Sequence, residues 1–253
     1  MSPLAAALWS IALTMTVMVA VSVTEEVRPG AQTDVVNLAA CQLLGTSIVI
    51  FAMARFHAAE LPLRGVLGMR PIAPLHVVLS AAAGAGLFPL MSAIDAVIER
   101  RFPVPDDAAE GLHKMLTSTS RPALVLAGLV VVPIARELFF RGALFGGLRA
   151  TVNLRVTMLA TSVFYACAFL DPQEMPTALA LGLALAWLRE RSGTVLAPIV
   201  AQLAFGAVEG IPILRGQDPE IDVHYSVRWI AGGAVIAALA LAGIGAGKRS
   251  ARD

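Results

Sequence analysis

Apolar positions in this chain gather into long runs, without the strict alternation of a half-buried strand or the one-sided stripe of a surface helix. Eight runs stand out, at roughly 3–23, 35–54, 74–98, 122–140, 155–170, 177–190, 194–213 and 228–247. Most are close to the ~20 residues that an α-helix needs to cross a bilayer's hydrocarbon core. The fifth and sixth are shorter, and only the breaker-rich turn Asp171-Pro172-Gln173-Glu174-Met175-Pro176 parts them. Pro133 predicts a kink late in the fourth run. Connections are otherwise brief, except 99–121, which has room for a short surface helix around Asp106 to Met115. The first run has no basic segment before it and is longer than the apolar part of a signal peptide, so it is expected to be a retained span. The pattern predicts an all-α, polytopic transmembrane helical bundle of about eight spans. One integral membrane domain would cover 1–253, with no internal repeat or separate soluble domain.

Composition agrees with the pattern. Hydrophobic residues make up 57% of the chain and charged residues 15%, with a mean hydropathy of +0.76; a soluble domain carries nearer ~25% charged residues. The lipid bilayer is thus the first expected partner. A net charge of +1 gives no basis for nucleic-acid binding. Cys41 and Cys167 both fall in apolar runs without metal-ligand spacing and are expected to be buried thiols. An even number of spans puts both termini on one side. Of the 19 Lys and Arg residues, eleven fall on one putative side: Arg55, Arg64, Arg70, Arg141, Arg149, Arg155, Arg189, Arg191, Lys248, Arg249 and Arg252. Seven fall on the other: Arg28, Arg100, Arg101, Lys114, Arg121, Arg215 and Arg228. The asymmetry predicts cytoplasmic termini, with Glu137 and Arg141 near the cytoplasmic face. Abundant Ala, Gly and Arg with few Lys suggest a bacterial inner-membrane protein.

The segment 136–142, Arg-Glu-Leu-Phe-Phe-Arg-Gly, puts charge at the end of an apolar run, where it is costly and needs a partner. Glu137 and Arg141 are four apart with the acid first, the favourable order for an ion pair on one helix face. Arg136 is about 100° round the helix from Glu137 and needs another partner or the interface. On these residues alone, a structural ion pair with a snorkelling arginine stands beside any functional reading. Glu209 shares a face with positions 202 and 206; it is a candidate local partner for Arg136 or else reaches the outer interface near Pro212. Asp95 is similarly open, near Glu99 and Arg100.

Read in order, the stretch from Val131 to Gly210 resembles the CPBP family of CAAX proteases and bacteriocin-processing enzymes. Pro133 to Leu144 is similar to its EExxxR-G segment, and Ser162 to Ala168 to its FxxxH motif. The Gly-bearing helix follows at Ala180 to Gly193, and Val195 to Gly206 resembles the helix carrying HxxxN. Leu67-Gly68-Met69-Arg70 resembles a loop that precedes the family's third helix. The resemblance implies a CAAX-protease-like fold with 122–213 as its core segment. It also implies an intramembrane peptidase site, in which a glutamate and a histidine activate water while a second histidine and an asparagine stabilise the oxyanion. Family members have been described both as metal-dependent and as glutamate proteases.

Position by position, the pattern is incomplete here. Glu137 and Arg141 occupy retained positions, whereas Arg136 replaces the first glutamate, Ala168 the first histidine, Gln202 the second histidine and Gly206 the asparagine. An arginine cannot serve as the base, and alanine and glycine supply no side-chain donor. With both imidazoles gone, neither a metal nor any other cofactor is expected. His57, His76, His113 and His224 fall in or near loops, and none obviously replaces them. The expected function is that of a catalytically inactive homologue acting as a membrane scaffold, binding or regulatory protein, with a membrane protein or peptide as partner. Two alternatives stand against it: an active endopeptidase using Glu137 as base and Gln202 as donor, and a small transporter or channel.

Overall fold

The structure, a computed structural model, describes residues 1–103, 106–216 and 226–250, and every regular element among them is helical. Six helices are long and apolar enough to cross a membrane. They are α1 (Pro3–Val27), α2 (Val35–His57), α3 (Pro74–Arg101), α5 (Arg121–Arg149), α8 (Leu196–Leu214) and α9 (Val227–Ser250), the last judged over Val227–Ala246. The chain is therefore a multi-pass integral membrane protein. Surface helix α4 spans Asp106–Ser118.

The two remaining apolar runs form α6 (Leu154–Cys167) and α7 (Met175–Ser192). At 14 residues, α6 is only about 21 Å long, and Cys167 at its end is exposed rather than buried, whereas Cys41 is buried as expected. Asn153 starts it by accepting the Val156 N–H, and the backbone turns left-handed at Leu170, φ 59°. Helix α7 has the length to cross but carries Arg189, Glu190 and Arg191 in its last turn, and Gly193 ends it in the left-handed conformation, φ 74°. The two pack against each other as an antiparallel pair.

Helix α5 departs most from expectation. Its apolar run was expected to end at 140, with the charged cluster near the cytoplasmic face, but the helix continues to Arg149. Glu137 lies 16 residues from one end and 12 from the other, so the cluster sits near mid-helix. Pro133 distorts the helix without ending it. It lacks the N–H that would bond the Leu129 carbonyl, and its ring crowds that oxygen. The backbone responds with a wide π-helical turn at Ala127–Val131 and resumes as α-helix at Val132. A second π-helical segment, Leu138–Leu144, spans Arg141 and Gly142.

Glycines set the helix spacing. A Cβ on Gly84 would fall 1.8 Å from the Ala201 carbonyl oxygen, and one on Gly86 2.7 Å from that of Gly233, so α3 touches α8 and α9 backbone to backbone. Such contacts replace the hydrophobic drive that lipid cannot provide.

Candidate functional site

Arg141 is the largest fully buried side chain among the described residues, and both it and Glu137 are 0% exposed. One turn apart, they pair as their spacing requires: Arg141 Nη1 donates to Glu137 Oε1 at 3.1 Å. Nη2 reaches across to α7 and donates to the Gly182 carbonyl at 2.9 Å. The guanidinium carbon stands 4.2 Å from the centre of the Tyr165 ring on α6. One side chain of α5 thus ties α6 and α7 to it. Glu137 Oε2 and Arg141 Nε have no hydrogen-bond partner, nor has Ser162 Oγ. Ser162 lies against Gly182, where an added Cβ would meet it at 3.2 Å.

A second arginine, not singled out from the sequence, braces the same point. Arg189 donates from Nε to the Arg141 carbonyl at 2.8 Å. Its guanidinium fills the space where a Cβ of Gly68 would be, 2.0 Å from Nη2, and Gly68 has φ +63°. The Leu67-to-Arg70 loop is clamped further by Thr194, which donates to the Arg70 carbonyl at 2.8 Å and accepts the Arg70 N–H at 3.2 Å. Sequence reading noted the loop but had no signal for Arg189, whose apparent place was a charged helix end.

Arg136, Ala168, Gln202 and Gly206, the four positions expected from the sequence to differ from the family motif, divide between two faces of α5. Arg136 and Ala168 line one cavity of about 140 Å³, with Leu13, Thr14, Val17 and Met18 of α1, Gln42 of α2, Phe140 and Leu170. The Arg136 guanidinium lies 4.0 Å over the Phe169 ring. Gln202 and Gly206 do not line that cavity and face α5 from α8. A Cβ on Gly206 would lie 3.0 Å from the Leu129 carbonyl oxygen, the atom Pro133 deprives of its usual donor. Gln202, one turn earlier, is buried with Oε1 unpartnered.

The Arg136–Glu209 pairing weighed from the sequence is absent from the ion pairs of the described residues. Glu209 instead has Glu174 and Asp95 as charged neighbours, and Asp95 takes a hydrogen bond from Thr177. The histidines stay outside the cluster. His57 accepts a hydrogen bond from the Trp9 indole at 2.9 Å, His76 sits in the first turn of α3 and His113 on α4; His224 lies outside the described residues.

These side chains do not fit a metal. Arginine repels a cation, alanine and glycine offer no ligand atom, and no group of three His, Cys, Asp or Glu suited to one occurs among the described residues.

No curated protein and no solved structure matches the chain. One family model does, described as Type II CAAX prenyl endopeptidase Rce1-like, over residues 118–208. That stretch holds the Glu137–Arg141 pair, α6, the Gly182 contact, Gln202 and Gly206, and it is a CAAX-protease-like domain within a helical membrane bundle.

Proposed function

We propose that this protein keeps the helix framework of a CPBP-family peptidase without its hydrolytic chemistry, and acts by binding or regulating a membrane partner. The observation that carries the reading is the shared cavity of Arg136 and Ala168. If these positions correspond to the family's water-activating glutamate and histidine, the place of the base is taken by a permanent cation beside a methyl group. Neither residue accepts a proton from water. Gly206 adds to the argument, since its missing side chain accommodates the Leu129 carbonyl. Eight spans with both termini in the cytoplasm of a bacterial cell complete the proposal, supported by the basic asymmetry and by α6 and α7 packing as a pair.

One observation favours the active alternative: Glu137 Oε2 is unpartnered. Against it, the carboxylate is wholly enclosed and already spends Oε1 on Arg141. The deciding experiment incubates purified protein with a fluorogenic peptide library and with prenylated CAAX peptides. We expect no cleavage above the detergent blank and no stoichiometric zinc on elemental analysis. Cleavage abolished by Glu137→Gln in a folded variant would refute the proposal and make Glu137 the base.

A further inference from the structure

Arg136 is a cation at the middle of a membrane helix with no carboxylate in ion-pair contact. It lies 15 residues from Arg121 and 13 from Arg149, about 20 Å from either end of α5. Leu13 and Thr14, which line the same cavity, are near the middle of α1. A charge at that depth is expensive unless something compensates it. Glu137 is committed to Arg141, and Glu174, whose charge reaches Arg136, forms no ion pair with it. The Phe169 ring covers one face of the guanidinium and takes none of its N–H donors.

The cavity has a mouth. Met18 and Leu170 line it and are exposed, and Leu170 holds a left-handed backbone that a γ-branched residue seldom adopts. Beside the mouth, α1 exposes Leu8, Ile11, Met15 and Met18, whose 3-4-3 spacing is that of a helix-packing seam. About 140 Å³ is comparable to a cavity that holds benzene, roughly six heavy atoms, which suits a carboxylate side chain and its methylenes. Lipid phosphates sit about 15 Å or more from the bilayer midplane, beyond the reach of an arginine held at mid-helix.

We propose that Arg136 receives the carboxylate of an acidic residue at the middle of another protein's transmembrane helix, docked along the exposed α1 seam. This deepens the binding reading above and rests on it, because it names the partner class for the same cavity.

The test uses the full-length protein, fluorescently labelled, in phosphatidylcholine vesicles. The probes are Leu/Ala transmembrane peptides that carry one central Glu, or Gln in its place, and an acceptor dye. Energy transfer at mildly alkaline pH is expected to show the Glu peptide binding about tenfold or more tightly than the Gln peptide. Arg136→Gln should erase the difference. So should Ala168→Phe, which fills the cavity and keeps the charge, guarding against a variant that merely misfolds. Equal binding of the two peptides overturns the proposal, as does a Glu preference that survives both variants. A preference abolished by adding oleate or phosphatidylglycerol would assign the site to a lipid anion and also overturn it. Mass spectrometry of the recovered peptides separates the two readings: cleavage would refute the non-hydrolytic reading, whereas intact peptides without Glu preference would refute only this one.

Discussion

Removing either member of the Glu137–Arg141 pair should cost at least as much as removing both. With Glu137→Leu, Arg141 keeps the Gly182 carbonyl and the Tyr165 ring but loses its anion, while no water reaches it in the enclosed site. With Arg141→Met, Glu137 is left as a bare carboxylate and the α5–α7 tie is lost. Breaking one partner of a buried pair costs about 3–5 kcal/mol. The double variant Glu137→Leu with Arg141→Met removes both charges and fills much of the same volume. It forfeits mainly the Gly182 hydrogen bond, worth about 1.5–3 kcal/mol with a charged donor, and the ring contact, up to about 2 kcal/mol. That carbonyl belongs to the interior of α7 and keeps its helical partner, so its loss is at the low end. The double variant should therefore be no less stable than either single variant, with a coupling energy of at least about 2 kcal/mol. Unfolding by sodium dodecyl sulfate titration in micelles, followed by Trp fluorescence, measures all four proteins. Single variants within about 1 kcal/mol of wild type, or a double variant destabilised by the sum of the two, would refute the account.

Other outcomes follow from single contacts. Gly206→Asn should lower folded yield, because even its Cβ meets the Leu129 carbonyl at 3.0 Å, and fluorescence-detected gel filtration reports it; wild-type yield would show that α5 and α8 can part there. Gly68→Ala should destabilise by displacing the Arg189 guanidinium and straining a backbone at φ +63°, by about 1–3 kcal/mol in the same detergent titration. Reporter fusions after Asp253 and within 99–121 should place the C-terminus in the cytoplasm and that loop outside. A periplasmic C-terminus would overturn the assignment.

What the sequence made legible depended on range. Eight apolar runs gave the helices, because hydropathy and length are local properties, and the i,i+4 spacing gave the Glu137–Arg141 pair. The end of α5 was misplaced because Arg141 was read as a boundary charge, whereas Gly182, Tyr165 and Arg189 from two other helices satisfy it in the interior. Nothing near position 141 in the sequence announces those three residues. Arg189 was hidden for the same reason: a cation in a last helical turn usually faces water, and this one turns inward onto the Arg141 backbone.

Gly206 makes sense only once α5 is seen to widen. Pro133 forces the π-turn at Ala127–Val131 and leaves the Leu129 carbonyl without its ordinary donor. That oxygen projects toward α8 and occupies the space a side chain at 206 would need. Glycine there is thus a packing requirement of this chain's own helix pairing. Four substitutions back toward the family motif, Arg136→Glu, Ala168→His, Gln202→His and Gly206→Asn, would therefore not be enough to rebuild a peptidase site. The asparagine also needs α5 and α8 to separate, because its Cβ alone would meet the Leu129 carbonyl at 3.0 Å. On the reading proposed above, the missing asparagine and the close packing of α5 against α8 are one change, and reversing the first means undoing the second.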